Sequence, residues 1–149
     1  MPNFLVDSQL SQNASFANAI SEPASTTPAL FGTLGLDTSE AGPNLRVHFS
    51  ATVTLSATIA ILVPVTITIN RVIGGVSTTV YTATKTLPVG TLLLTTDVIT
   101  ISGIDIPPAA DFISYRAFVS IPAGLAVIPN RVGPESFQAV AYSDLPTPV

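Results

Sequence analysis

His48 is the one side chain in this sequence that could act as a conventional general base near neutral pH. It alternates with Arg46 and Ser50 in a regular polar pattern, which reads as a surface or interface histidine. No nucleophile-elbow motif accompanies it, so a Ser-His-Asp site would have to recruit both partners from elsewhere. The nine carboxylates are spread singly along the chain, and no Asp-x-Asp-x-Asp run offers a calcium loop. There is no glycine-rich phosphate loop. One histidine and no cysteine cannot supply the usual zinc ligands. Glycoside hydrolysis needs only two carboxylates, but no pair stands out by spacing. The expectation is a protein without enzymatic activity, cofactor or metal.

The five cations, Arg46, Arg71, Lys85, Arg116 and Arg131, are scattered, and the net charge is −4. Nucleic-acid binding requires clustered cations that neutralise phosphates, so no nucleic-acid partner is expected. Only 9% of the 149 residues are charged, against about 25% in an average domain. Hydrophobic residues make up 47%, which excludes a disordered acidic tail. The absence of cysteine removes any disulfide framework. The N-terminus has neither a cationic nor an apolar signal-peptide region, so synthesis in a cytoplasm without a signal is expected. The most apolar window, residues 57–69, contains three threonines and a proline and is shorter than the roughly 20 residues of a membrane span. No membrane association is expected. The sequon Asn13-Ala14-Ser15 reads as a chance match.

Thr, Val and Ile together account for 47 residues, and β-branched side chains suit a pleated sheet. The strongest pattern lies at residues 45–57, where Leu45, Val47, Phe49, Ala51, Val53, Leu55 and Ala57 alternate with polar residues. This period of two marks a half-buried antiparallel strand. Fully extended it would span about 40 Å at 3.3 Å per residue, so a bend or a split is expected. Further strands are expected at 14–20, 30–36, 65–69, 77–87, 92–94, 98–106, 112–121, 125–128 and 137–142. Gly74-Gly75 reads as a hairpin turn, and Pro88-Val89-Gly90 as another. Pro64 belongs near a strand start or on an edge. Residues 112–121 are apolar on both sides, as in a strand covered on both faces. No stretch keeps a helical period. About eight strands with turns every ten or so residues predict an all-β fold, a jelly-roll β-sandwich, with an immunoglobulin-like sandwich as competitor.

Residues 1–12 precede this pattern. Extended, they would place Phe4, Val6 and Leu10 on one side and Leu5, Asp7 and Gln9 on the other. Either a frayed terminus or an arm that docks on another subunit fits. Large apolar residues in so short a segment favour the arm. The domain reading is a connector arm at 1–12, a jelly roll at 13–144 and a tail at 145–149. A soluble monomer of this size usually carries more charge, so burial against other copies is expected.

The run Arg131-Val132-Gly133-Pro134-Glu135-Ser136-Phe137, followed by Ala141-Tyr142-Ser143-Asp144, resembles a family of exosporium and spore-surface proteins of spore-forming bacteria. So do PVTITINR at residues 64–71, VYTAT at 80–84 and IDIP at 104–107. Within that family the chain is most similar to the thin, non-disulfide endospore appendage subunits. These are related to the trimeric, tumour-necrosis-factor-like and complement-like C-terminal domain of the collagen-like exosporium glycoprotein. The resemblance implies homotrimers that stack into a non-covalent fibre through N-terminal connectors on the spore surface, with a spore-surface anchor protein as a further partner. Phe4, Leu5, Val6 and Leu10 are the candidate connector residues. A non-polymerising exosporium coat or carbohydrate-binding jelly-roll trimer is the alternative, and a viral capsid or tail jelly roll the second.

Overall fold

The computed structural model describes residues 3–57, 62–87 and 94–148. Its strands are β1 (Asn3–Ala14), β2 (Glu22–Pro23), β3 (Ala29–Asp37), β4 (Arg46–Ala57), β5 (Val63–Ile73), β6 (Val76–Leu87), β7 (Thr95–Asp105), β8 (Phe112–Ser120), β9 (Asn130–Arg131) and β10 (Glu135–Asp144). One sheet runs β1-β10-β4, with β7 on the far side of β4 and the two-residue strands β9 and β2 extending it. The other runs β3-β8-β5-β6. Every pairing is antiparallel. When the eight long strands are counted in chain order, the sheets read 1-8-3-6 and 2-7-4-5. Successive strands switch sheets everywhere except in the β5–β6 hairpin, and that order defines a jelly roll. The all-β jelly-roll expectation therefore holds.

The alternating residues of β4 do what their period dictates. Val47, Phe49, Ala51, Val53 and Leu55 are buried, and they face Val65, Ile67 and Ile69 of β5 and Ile113, Tyr115, Ala117 and Val119 of β8 in one core. The strand does not split: it runs unbroken from Arg46 to Ala57, with β10 and β7 paired on its two sides. Gly74 and Gly75 form the β5–β6 turn with φ of 56° and 79°, the left-handed pair that a two-residue hairpin requires. Pro64 is the second residue of β5, outside the stretch that pairs with β8.

Other expectations change. Of the strand expected at 14–20, only Ala14 is in a strand, as the last residue of β1. The chain turns there, with Asn18 at φ 60° and the Ala19 amide donating to the Phe16 carbonyl at 3.2 Å. Residues 125–128 are also a turn region, since their apolar side chains serve loop packing and not a ladder. β8 is covered on one face only; its burial alternates, and Phe112 at its start is exposed. The expected turn at 88–90 and most of the strand expected at 92–94 lie outside the described residues. Residues 3–12, expected as an arm, belong to β1, so a boundary between residues 12 and 13 falls inside a strand.

Two buried polar clusters tie the sheets and loops together. Arg131 donates through Nε and Nη2 to the two oxygens of Glu135 at 2.7 and 2.6 Å, and Asn13 Nδ2 donates to Glu135 Oε2 at 2.8 Å. Glu135 is fully buried and Arg131 nearly so. Gly133, at φ 85°, turns the chain between them. The resemblance-bearing segment at residues 131–135 is thus a buried ion pair closing its own loop, and it also fastens the end of β1. In the second cluster, Arg71 Nη1 donates to both oxygens of Asp105 at 2.9 Å, and the Tyr115 hydroxyl donates to Asp105 Oδ2 at 2.7 Å.

Removing one partner of a buried pair strands the other charge, which costs about 3–5 kcal/mol. Glu135→Gln should lower the unfolding free energy by that amount, and Asn13→Ala by only about 1 kcal/mol, both read from denaturant midpoints at constant m-value. Tyr115 gives a pH signature. Burial, and then the hydrogen bond to Asp105, raise its phenol above the ordinary value of 10.0. The folded state keeps a proton that the unfolded chain loses above that pH. Its contribution is therefore full below about pH 10 and falls as pH rises further. Tyr115→Phe should be less stable at pH 8, where Asp105 loses a donor. It should also show a shallower loss of stability between pH 9.5 and 11, measured by urea unfolding.

Candidate functional site: the β1 edge and its uncharged sheet face

β1 has one hydrogen-bonded neighbour, β10, along nearly its whole length. Its register shifts between Leu5 and Asp7, so Val6 sits in a bulge. This one-residue slip rearranges the faces expected from strict alternation. Leu5 pairs with Tyr142, and Leu10 with Gln138, so both point outward, 55% and 74% exposed. Phe4, opposite Ser143, turns inward and is half-buried. Val6 is half-buried and packs against the core. The structure thus separates the four candidate connector residues: Leu5 and Leu10 share the outer face, while Phe4 and Val6 lean inward. The signal sequence reasoning missed is the bulge, which no turn residue announces.

Between Phe4 and Ala14 the inner face of β1 presents Asp7, Gln9 and Ser11, opposite Ala141, Ala139 and Phe137. These polar groups seal a seam between the sheets. The Asp37 amide of β3 donates to Asp7 Oδ2 at 2.9 Å, and the Thr33 amide donates to Ser11 Oγ at 3.2 Å. Unpaired edge amides of β3 thereby find acceptors on the other sheet, which is one way to blunt an edge. The Asp37 carboxylate in turn accepts from the Ser39 hydroxyl and amide, which holds it below the usual carboxylate range. Asn13, the sequon asparagine, has its amide committed to Glu135.

The outer face of this sheet continues across four strands. Ser8, Val140, His48 and Ile104 form one row, and Leu10, Gln138, Ser50 and Ser102 the next. His48 packs edge-on against Tyr142, with ring centroids 5.4 Å apart. Arg46 lies at the corner, where it donates to the Asn3 side chain and approaches Asp144 at 3.7 Å. The two rows hold no Asp, Glu, Lys or Arg, formal charge being confined to the Arg46–Asp144 corner, and Leu5, Leu10, Ile104 and Val98 are all more than half exposed. The chemistry such a face offers is apolar contact and short hydroxyl or amide hydrogen bonds. Among the described residues no three His, Asp or Glu side chains gather as metal ligands.

No protein-family model matches the sequence, and no curated protein matches it. Among solved structures it is similar to the VP2 subviral particle of infectious bursal disease virus, at 14% identity and a TM-score of 0.49, covering 95% of this chain and 38% of that one. It is similar to the Gt strain of the same virus at 16% identity and a TM-score of 0.49, with the same coverage. A third is the enzymatically active domain of tailspike protein 4 of bacteriophage CBA120, at 16% identity and a TM-score of 0.30, covering 95% of this chain and 18% of that one. The chain spans well under half the length of each.

The seam predicts a local effect. Asp7→Ala should leave the fold intact, cost about 1 kcal/mol, and speed hydrogen exchange at the Asp37 and Ser8 amides by roughly tenfold. The amides of central strand β8 should keep their protection.

Proposed function

We propose that this chain is a structural subunit that self-assembles, as homotrimers stacked into a non-covalent fibre on the surface of a bacterial endospore. The observation that carries this reading is the outer face built on β1. It is broad and almost without charge, and it ends in an edge strand with Leu5 and Leu10 exposed. Burying such a face in another copy removes apolar area from water at about 25 cal/mol per Å2, before ordering costs. A contact between two different patches that does not close on itself generates a filament. Without cysteine, any such fibre is held by packing and hydrogen bonds. The placement on a spore rests on the resemblance of the segments at residues 64–71, 80–84, 104–107 and 131–144. The partner is another copy of the chain, with a spore-surface anchor protein at the fibre base.

Because β1 is a full strand of the jelly roll, deleting residues 1–11 tests folding and assembly together. Leu5→Asp/Leu10→Asp changes only exposed side chains and should keep the unfolding free energy within about 0.5 kcal/mol of the parent. Negative-stain micrographs of the parent should show filaments, and the double variant should give dispersed particles of trimer mass by light scattering. Filaments from the double variant would remove β1 from the joint. Closed shells would favour the capsid reading, and a monodisperse parent the non-polymerising one.

A further inference from the structure

Four long strands lie at sheet edges, β1 and β7 in one sheet and β3 and β6 in the other. Three of them carry a bulge. Val6 of β1, Phe31 of β3 and Val80 of β6 each stand as an extra residue against the neighbouring strand. A bulge bends a strand and interrupts its ladder, which is a common protection for an exposed edge. β7 has none. Its 11 residues pair one to one with Val47 through Ala57 of β4, without a shift in register.

β7 lacks the other usual protections too. It contains no proline, and its outward residues Thr96, Val98, Thr100, Ser102 and Ile104 are all exposed and uncharged. Its two acids reach toward the other sheet, where Asp97 meets Lys85 at 3.0 Å and Asp105 meets Arg71 at 2.9 Å. Among the described residues β7 pairs with β4 alone, so its far row of backbone groups from Thr96 to Ile104 has no strand beside it. An edge pairs along its whole length only with a strand that keeps an equally unbroken register. Of this chain's four long edges only β7 does so. The strand that fits β7 is therefore β7 of a second copy.

We infer that β7 is a strand-pairing edge whose partner is β7 of a second copy, antiparallel about a two-fold axis at Thr100. In this register Thr100 faces its own counterpart, Val98 faces Ser102, and Thr96 faces Ile104. Asp97 falls opposite Gly103, so no like charges meet. A slip of two residues would instead set Asp97 against Asp105. The Thr100 hydroxyl already lies 3.0 Å from that of Thr52, so the pairing extends a row of hydroxyls across the axis. The order β1-β10-β4-β7 of each copy then runs on into the other as one sheet. Because β1 is the opposite edge of that sheet, the contact sets copies side by side and goes beyond the β1 joint.

The lack of native cysteine allows a direct test. Thr100→Cys changes one exposed side chain, and circular dichroism against the parent establishes that the fold is kept. Under mild oxidation it should give a linked dimer on non-reducing gels, about tenfold above Thr96→Cys or Ile104→Cys. In those two the like thiols lie roughly 25 Å apart along the paired strands. An equimolar mixture of Val98→Cys and Ser102→Cys should give the mixed dimer at several-fold above either like pair, and it carries the test if Thr100→Cys does not fold. Val98→Lys/Ser102→Lys, added to Thr100→Cys, sets like charges opposite each other and should cut the dimer several-fold. Equal yields at all positions, or a dimer untouched by the lysines, overturn the β7 pairing. The Thr100→Cys yield should persist in the Leu5→Asp/Leu10→Asp background, whether or not the parent forms filaments. Its loss there overturns a β7 contact separate from β1.

Discussion

An open sandwich has edges, and the protection of those edges is the constraint on which the rest of this structure depends. Edge amides and carbonyls invite pairing with other chains, and proteins commonly defend them with charge. This sequence has nine acidic and five basic residues to do so. Four of the five cations form ion pairs within the chain. Arg71 is fixed on Asp105, Arg131 on Glu135, Lys85 bridges β6 to Asp97 of β7, and Arg46 reaches Asp144. The edge of β3 is satisfied by Asp7 and Ser11 from the opposite sheet. The outward faces of the strands are rich in threonine and serine, as in the hydroxyl pairs Thr66–Thr84 and Thr68–Thr82 at 3.0 and 3.2 Å. Glu22, Glu40, Asp111 and Arg116 remain exposed among them, so charge at the surface is about as scarce as the composition implies.

The division of labour among strands follows from the same constraint. β4, β5, β8 and β10 are flanked on both sides and carry the large buried side chains. β1 supplies a long backbone ladder and a polar inner face, so its attachment rests on main-chain hydrogen bonds and on the Asn13–Glu135 contact more than on apolar burial. An edge strand of that kind seals its own sheet while adding little to the core. The buried Arg131–Glu135 pair compensates at the point where β1, β9 and β10 meet. Its worth lies in specificity of arrangement as much as in stability, because buried pairs often contribute little net energy while their disruption costs several kcal/mol.

The fold was legible where one face of a strand is buried, since burial writes a period of two into the sequence. The pattern of β4 and the Gly74-Gly75 hairpin are of that kind. Legibility failed where apolar residues serve something other than a ladder. Phe16 and Ile20 imitate strand residues but sit around a turn closed by Asn18. In β1 the inner face is polar, so alternation carried no instruction about direction, and the bulge at Val6 then exchanged the faces of the candidate connector residues. The ion clusters were illegible for another reason. Asn13 and Glu135 are 122 positions apart, and Arg71 and Asp105 are 34 apart, so only the closed topology brings them together.

That topology also makes the two ends of the molecule unlike. A jelly roll returns both its first and its last strand to the same end, here with Asn3 opposite Asp144, and sends the β1–β3 and β8–β10 connections to the other. Residues 145–148 therefore lie at the first end, against Gly42, and the loops that carry Pro23, Ile121, Pro122, Leu125 and Ile128 lie at the other. Exposed aliphatic and aromatic carbon is found at both ends, with Val76, Ile106 and Phe112 at the first and Phe16 and Ile128 at the second. Strand order thus fixes which loops share an end, while the side chains of those loops decide the chemistry each end offers.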